Sequence, residues 1–420
     1  MAGAASTSPR IGDAPWLQRP ETQAVFAALA AQGLAARVVG GAVRNALLGQ
    51  PVTDVDIATP ARPDEVMAAA AKAGLRAIPT GIEHGTVTLV SGGAPYEVTT
   101  LRKDVETHGR HATVAFTGDW EADARRRDFT INALYCSADG EVFDPLSGYG
   151  DIQARRVRFI GDPAERIRED YLRILRFFRL TATFAAGPPD AAAMAACVRG
   201  RDGLTILSAE RVRQEVLRLL AAPHAAEIAG AMHDHGLLNF VLGAAPRPTL
   251  LARLSAIEGA LGLEADAMLR LAALVVEVAE DAERMRERLR LSNEEAATLL
   301  RAAAPSPGLG PSSPESAARA ALYRLEAPAY RQRVLLDWAR SGDPPTSNAW
   351  SRRYHVPDTW QPPRLPIAGT DVMALGVPAG PRIGEILRAL ETWWIDGDLA
   401  AGEDALRSKL KELIVEVRDT

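Results

Sequence analysis

The sequence predicts an α+β protein in which a mixed sheet with helices precedes a long all-helical region. Residues 1–160 contain short runs of β-branched side chains bounded by Gly or Pro, which are typical of strands. Beyond Asp162 these runs stop, and apolar side chains recur at helical spacing. Aromatic residues make up only 5% of the 420 residues and alanine is frequent, which also favours helices.

The first 160 residues predict a mixture of strands and helices. Apolar residues at helical spacing predict an initial helix over residues 20–35, which ends near Gly33. A second helix is predicted over residues 63–73. Strands are predicted at residues 36–39, 52–58, 85–90, 96–101, 130–137 and 141–144.

The rest of the chain predicts an array of amphipathic helices. These cover residues 166–182, 209–220, 224–235, 248–261, 265–288, 293–304, 314–325, 330–341 and 403–418. Residues 304–314 and 342–366 are rich in proline and predict connections between them. A chain of this length is expected to form several structural units.

Charge and cysteine content narrow the classes of protein. The chain has 48 basic and 53 acidic residues, a net charge of -5, which excludes a uniformly basic surface but allows one localised basic groove. Two cysteines, Cys136 and Cys197, exclude a disulfide framework and favour a reducing compartment. No run approaches the roughly 20 apolar residues of a membrane span. We therefore expect a cytoplasmic protein with no membrane association.

The strongest local motif is a glycine pair followed by two aspartates. Gly40 and Gly41 follow a predicted strand, where they allow a tight turn and a close approach of the backbone to a phosphate, with Arg44 nearby. Asp54 and Asp56 are two residues apart, so in a strand both carboxylates face one side. Two such carboxylates suit Mg²⁺, which accepts oxygen ligands and keeps positions for substrate phosphates. The alternative is a glycine turn followed by two surface aspartates.

A second motif joins a run of arginines to polar residues within an apolar stretch. Arg127 ends the run, and Asp128 and Asn132 follow among apolar side chains. Buried polar groups need hydrogen-bond partners, and a nucleoside triphosphate would supply them. The alternative is a solvated charge run.

A third motif is predicted on one helix. Asp170 and Arg173 are three residues apart and would be neighbours on its surface, where an ordinary ion pair contributes only a few tenths of a kcal/mol. Arg176 and Arg179 follow, and a simple ion pair leaves both of them unexplained.

The order of these motifs resembles that of a known family. The chain resembles the class II tRNA nucleotidyltransferases and bacterial poly(A) polymerases of the DNA polymerase beta superfamily. The motifs that carry the resemblance are, in order, GGAVR, DVD, RRDFTINA, DPLSGYGDI (residues 144–152), EDYLRILRFFR and SAERVRQE (residues 208–215). The resemblance is close over residues 38–220 and weaker beyond. It implies a polymerase-beta-like head at residues 1–160, a helical neck at 161–240, a body at 241–345 and a tail at 346–420.

The resemblance also implies a role for each matching residue. Gly40, Gly41 and Arg44 would contact the nucleotide phosphates, and Asp54 and Asp56 would bind the metal ions. Arg127, Asp128 and Asn132 would bind the triphosphate and sugar. Asp170 and Arg173 would contact the base, and Arg176 and Arg179 would support them. One departure is Asn45, where the family commonly has aspartate. Residues 101–120 resemble the family's mobile loop. Whether Glu97 is a third carboxylate near the metals stays open.

An Asp–Arg pair discriminates between bases. Adenine and cytosine present an amino donor beside a ring-nitrogen acceptor, whereas guanine and uracil present a carbonyl beside an N–H donor. An acceptor at Asp170 and a donor at Arg173 therefore suit ATP and CTP.

The resemblance thus implies Mg²⁺-dependent, template-independent addition of CCA to the 3′ end of tRNA, which the helical region would clamp by shape and phosphate contacts. Poly(A) polymerase and enzymes adding only CC or only A remain alternatives within the family. A non-catalytic RNA-binding protein is an alternative from another class. His233 and His235 flank Asp234 and suggest an HD-type phosphohydrolase, but structural or surface roles are favoured for them.

Overall fold

The computed structural model describes residues 9–108 and 111–418, which divide into two compact units between Gly243 and Ala244. The first unit contains all of the strands in the described part of the chain, and the second is helical. The predicted fold class, a mixed sheet with helices followed by an all-helical region, is confirmed. Among the described helices, none is both long and apolar enough to cross a membrane.

In the described residues, a seven-stranded sheet is the centre of the first unit. Its spatial order is β3-β4-β5-β2-β1-β8-β9, with β2 parallel to β5 and the other neighbours antiparallel, while β6 and β7 form a separate hairpin. The strands are β1 (Arg37–Val39), β2 (Asp56–Thr59), β3 (Arg76–Gly81), β4 (Thr86–Ser91), β5 (Ala94–Thr100), β6 (Arg102–His108), β7 (His111–Phe116), β8 (Tyr135–Cys136) and β9 (Val142–Phe143).

Helices surround this sheet and extend the first unit. They are α1 (Pro20–Ala30), α2 (Gly41–Leu47), α3 (Pro63–Lys72), α4 (Trp120–Arg125), α5 (Gly148–Gln153), α6 (Pro163–Glu169), α7 (Leu172–Phe184), α8 (Ala191–Arg199), α9 (Ala209–Leu220), α10 (Ala225–Asp234) and α11 (Leu237–Leu242). Short 3₁₀ turns occupy Ile82–His84, Thr130–Asn132 and Arg201–Ile206.

An aromatic cluster fixes α7 against the sheet domain. The ring of Phe177 on α7 lies 5.7 Å from that of Phe159, which in turn lies 4.7 Å from that of Phe129. All three side chains are buried, and aromatic side chains bury more area than other residues. This packing places the polar residues of α7 beside those that surround Phe129.

The second unit contains α12 (Pro248–Ala260), α13 (Ala267–Val275), α14 (Ala279–Leu289), α15 (Asn293–Ala303), α16 (Glu315–Ser341), α17 (Asn348–Tyr354), α18 (Val356–Thr359), α19 (Gly369–Ala374), α20 (Pro381–Asp396) and α21 (Glu403–Arg418). Helix α16 kinks at Glu326, where φ is 63°, just before Pro328. The predicted four-part division of the chain remains a prediction.

Several predicted elements were wrong in detail. The predicted strand at 130–137 is a 3₁₀ turn followed by the two-residue β8, and the predicted helix at 166–182 is interrupted between α6 and α7. Residues 101–120, which resemble a loop, contribute β6 and β7, and β3 was missed. The short β8 is a strand because it pairs with β1, which lies far away in the sequence, so its local pattern carries little information about its length.

Candidate active site

A glycine turn opens the site between β1 and α2. Gly40 has φ 76° and ψ -124°, a conformation that side chains rarely allow, and Gly41 begins α2. A Cβ atom at Gly40 would lie 3.8 Å from both Nη1 of Arg127 and the carbonyl oxygen of Asn132. The turn therefore runs directly alongside two of the residues predicted to bind nucleotide.

Arg44 lies buried on α2 in the same place. Its guanidinium donates to Oδ1 of Asn132 and, over 2.9 Å, to Oδ1 of Asn45, and it lies 4.1 Å above the ring of Phe184. Burial and then the charge of Arg179 lower the pKa of Arg44 to about 10, against the opposing effect of a nearby carboxylate. Arg44 stays protonated at neutral pH and supplies a positive charge next to the glycine turn. The asparagine at position 45 thus orients Arg44.

Asp56 is the first residue of β2, and Asp54 lies just before the strand, so the prediction that both belong to one strand was wrong. The parallel register pairs Asp56 with Glu97 of β5. Partial burial, followed by the negative charges of Glu97 and Asp54, raises the pKa of Asp56, while Arg127 opposes the rise. The charges of Glu97 and Asp54 therefore both act on Asp56 at this end of β2.

The donor set at this point suits a hard divalent cation. Within the described residues, no group of three or more His, Cys, Asp or Glu side chains is close enough to hold a metal unaided. Mg²⁺ commonly binds through one or two carboxylates and leaves its other positions to water and phosphate oxygens. A cation would also relieve the repulsion that raises the pKa of Asp56. The residues present therefore fit a divalent ion that is shared with a phosphate-bearing substrate.

Arg127 is held by an acidic residue that sequence reasoning missed. Nε and Nη2 of Arg127 donate to Oδ2 of Asp123 over 3.3 and 3.0 Å, and Tyr135 donates to the same oxygen over 2.7 Å. Asp123 also accepts from Arg126 over 2.9 Å. With two donors fixed on Asp123, the Nη1 edge of Arg127 faces the Gly40 turn.

This buried anchor makes a testable contribution to stability. Burial acts to raise the pKa of Asp123, but Arg127, Arg126 and Tyr135 lower it to about 2, below its ordinary value of 3.8. A carboxylate whose pKa is lower in the folded than in the unfolded protein stabilises the fold fully at a pH above its unfolded pKa, and this stabilisation is lost as the pH falls toward 2. For Asp123 the difference in pKa corresponds to about 2 kcal/mol of unfolding free energy. Asp123→Asn should therefore lower the free energy of unfolding by about 2 kcal/mol or more at pH 7.

Denaturant unfolding at pH 7 and at successively lower pH checks this expectation, with Asp64→Asn on the exposed face of α3 as the control. The difference between wild type and Asp123→Asn should shrink as the pH falls below about 4. A difference that does not change with pH would contradict the assigned role of the Asp123 charge.

Asp128 connects the turn region to α7. Its Oδ1 accepts from Nδ2 of Asn132 over 3.2 Å, and its Oδ2 accepts from Nε of Arg176 over 2.6 Å. Burial acts to raise the pKa of Asp128, but the charge of Arg176 and these hydrogen bonds hold it below its ordinary value. Glu215, which is 4% exposed, accepts from Arg179 over 2.5 Å and lies 3.9 Å from Arg176. One connected network therefore joins Asn132 and Asp128 to the predicted base-support residues Arg176 and Arg179, and Arg44 joins it through Asn132.

The predicted arrangement of Asp170 and Arg173 on one helix was wrong. Helix α6 ends at Glu169, and Asp170 has extended backbone angles before α7 begins at Leu172. Oδ1 of Asp170 accepts from the Leu172 amide over 3.1 Å, as in a helix N-cap, and Oδ2 accepts from Arg211 over 2.6 Å. Arg173 pairs instead with Glu169.

Sequence reasoning missed the residues that hold the predicted site residues in place. Asp123, Glu169, Arg211 and Glu215 each hold a predicted site residue. Arg211 and Glu215 lie in the SAERVRQE motif, and their spacing of four residues on a helix was the available signal. His233 and His235 are exposed at the end of α10, and no three-ligand metal group includes them within the described chain.

The fold and site define the class as a nucleotidyltransferase. Residues 36–158 match the family described as "Poly A polymerase head domain", and residues 190–248 match "Probable RNA and SrmB- binding site of polymerase A". The chain is 33% identical over 383 residues to the zebrafish (Danio rerio) protein named CCA tRNA nucleotidyltransferase 1, mitochondrial, covering 90% of this chain and 87% of that protein. It is 32% identical to the mouse (Mus musculus) protein of the same name, covering 94% and 93%. The chain belongs to the CCA tRNA nucleotidyltransferase family, as its motifs predicted.

Solved structures agree with this assignment. The crystal structure of the Bacillus stearothermophilus CCA-adding enzyme in complex with CTP is 28% identical, with a TM-score of 0.72 over 96% of this chain and 99% of that one. The Thermotoga maritima CCA-adding enzyme complexed with tRNA, at 20% identity and a TM-score of 0.66 over 94% of each chain, shares the fold. Nucleotidyltransferases of this family generally use a divalent metal.

Proposed function

We propose that this protein adds C, C and A to the 3′ end of tRNA, using CTP and ATP and releasing pyrophosphate. The observation that supports it most is the pairing of Asp56 with Glu97 in neighbouring strands, with the charge of Arg127 acting on Asp56. A carboxylate site beside fixed positive charge suits a nucleoside triphosphate and its metal. The membership of the family supplies tRNA as the acceptor.

In this proposal the nucleotide lies across the connected network. Arg44 and the free edge of Arg127 bind the triphosphate along the Gly40 and Gly41 turn, and Asp128 with Asn132 orients the sugar. Asp54 and Asp56 would hold Mg²⁺, which, when bound, supplies positive charge that lowers the pKa of the RNA 3′-hydroxyl and neutralises the triphosphate.

The reaction then forms one bond and breaks one. The 3′-oxygen of the RNA bonds to the α-phosphorus, its proton passes to solvent, and the bond from that phosphorus to the bridging oxygen breaks. The arginines stabilise the negative charge that accumulates on the departing pyrophosphate. Because Asn132 and Asn45 hold Arg44, and Asp123 holds Arg127, before the nucleotide arrives, little reorganisation is needed.

Base choice is assigned to Asp170 and Arg173. The carboxylate accepts from the exocyclic amino group of cytosine or adenine, and the guanidinium donates to the ring nitrogen beside it. Uracil and guanine present the reverse pattern and leave buried polar groups unpaired. Arg176 and Arg179, which lie on α7 with Arg173, support this pair.

The experiment that tests the function is an incorporation assay on tRNA lacking its CCA end. Each nucleoside triphosphate is supplied separately and then all are supplied together, and the 3′ ends are sequenced. We expect CC from CTP alone and CCA from CTP with ATP. Runs of A from ATP alone would indicate a poly(A) polymerase, and RNA binding without incorporation would indicate a non-catalytic protein.

Arg127→Ala should raise the KM for ATP and for CTP by similar factors, roughly 10- to 100-fold, because it removes a charge-assisted contact that does not depend on the base. Steady-state kinetics with both nucleotides on matched primers measures this. Arg125→Ala is the matched control, since Arg125 belongs to the same run but is 65% exposed and pairs only with Glu121 among its described contacts. A raised KM for only one of the two nucleotides would contradict this assignment and would indicate that Arg127 contacts the base.

We also infer a cytoplasmic location. It is supported by the two cysteines, Cys136 and Cys197, which are buried and unpaired. The vertebrate relatives carry the word mitochondrial in their names. Detection of the protein in fractionated cells of its source tests the location.

A further inference from the structure

Arg211 on α9 holds the carboxylate that is assigned to base recognition. Its Nη2 donates to Oδ2 of Asp170 over 2.6 Å, while Oδ1 of Asp170 accepts the Leu172 amide over 3.1 Å. The Asp170 side chain is 22% exposed, so it keeps a face open to a ligand. Two donors from two different directions therefore define the plane of this carboxylate.

The same helix face also holds the helix that carries Arg173. Glu215 lies four residues after Arg211, which is one helical turn, and accepts from Arg179 of α7 over 2.5 Å. Helix α9 thus contacts the base-recognition segment at two points, one before α7 begins and one along it. Glu215 is almost fully buried, whereas the Arg211 side chain is 35% exposed, so a change at Arg211 leaves the core intact.

The partner residue Arg173 is fixed independently of Arg211. It pairs with Glu169 and donates over 2.7 Å to the backbone carbonyl of Arg166. Removing Arg211 therefore releases the acceptor of the pair while the donor stays in place.

We propose that Arg211 is a positioning residue that determines nucleotide selectivity by fixing the acceptor oxygen of Asp170; this inference rests on the proposed function. Without Arg211 the carboxylate keeps only its cap bond to Leu172 and turns about that bond. An acceptor that is displaced by about 1 Å loses much of its contribution to a reaction. That loss affects CTP and ATP, which need an acceptor at this point, and not UTP or GTP.

The test measures kcat/KM for all four nucleotides with Arg211→Met, Arg211→Lys and the control Arg218→Met. Methionine keeps the apolar stem and removes the donors, and lysine restores one donor, which is all that the observed single contact requires. Arg218 is an exposed arginine on the same helix. We expect Arg211→Met to narrow the preference for CTP and ATP over UTP and GTP by roughly tenfold. Arg211→Lys should retain most of the preference, and Arg218→Met should retain all of it.

A thermal melt of each variant separates positioning from folding. An unchanged nucleotide preference in Arg211→Met, with a lower Tm or a uniformly lower rate, would overturn the proposal, because the pair would then be structural. A higher rate with an unchanged preference would also overturn it, because Arg211 would then only compete with the nucleotide. If Arg211→Met does not fold, Arg211→Gln is measured in the same way. A wild-type protein with no preference for CTP and ATP would be a failure of the proposed function instead.

Discussion

Asp56→Ala is expected to reduce nucleotide incorporation to below a few per cent of the wild-type rate while leaving the fold and tRNA binding intact. The carboxylate starts β2 next to Glu97 and carries a raised pKa, because burial and the charges of Glu97 and Asp54 act against its ionisation. Its removal takes away a ligand for the divalent ion rather than core packing. The melting temperature should stay the same or rise slightly, since repulsion between carboxylates is relieved.

The same measurement on Asp54→Ala and Glu97→Gln completes this test. We expect Asp54→Ala to behave like Asp56→Ala, while the result for Glu97→Gln shows whether a third carboxylate is required. Asp64→Ala, on the exposed surface of α3, is the control. Incorporation above a few per cent in Asp56→Ala, at any concentration of Mg²⁺, would reject the metal assignment.

Asp170→Ala should narrow the preference for CTP and ATP over UTP and GTP by about 1 to 3 kcal/mol in kcat/KM, the magnitude of one good base contact. The substitution removes the acceptor and leaves Arg173 with its own partners, Glu169 and the Arg166 carbonyl. Use of CTP and ATP should fall, because the amino group of each base loses its acceptor.

A loss of helix capping must be separated from this effect, since Oδ1 of Asp170 also accepts the Leu172 amide. Asp162→Ala is the matched control: Asp162 caps α6 by accepting the Glu165 amide over 2.9 Å. Both variants should lose about 1 kcal/mol of stability from the missing cap. If Asp170→Ala melts earlier but keeps the wild-type ratio of nucleotides, Asp170 is structural.

Local chemistry made part of the site predictable. The turn at Gly40 needs a positive φ, and the strand before it follows from a short-range pattern. The network could not be predicted, because its bonds join residues far apart in sequence, such as Asp128 with Arg176 and Asp170 with Arg211. Spacing alone offers a helix neighbour as the partner of an acidic residue, and here it suggested Arg173 for Asp170.

The break between α6 and α7 shows why such spacing misleads. Asp170 lies where α6 has ended, and its extended backbone allows one oxygen to cap α7 while the other reaches α9. When a capping aspartate lies within a continuous amphipathic pattern, the pattern predicts that it belongs to the helix unless its tertiary partner is known. The strand predicted at 130–137 was too long for a similar reason, because only Tyr135 and Cys136 pair with β1 and β9.

The most direct test of the account is the sequence of tRNA 3′ ends after the wild-type protein and Asp56→Ala are each given tRNA lacking CCA, Mg²⁺ and all four nucleotides at equal concentration. If one site recognises the amino group of the base through Asp170 and Arg173 and depends on Asp54 and Asp56, the wild-type protein should add CCA and nothing further. The tRNA given to Asp56→Ala should remain unextended. Runs of A, incorporation of U or G at rates similar to those of C and A, or CCA made by Asp56→Ala would contradict it.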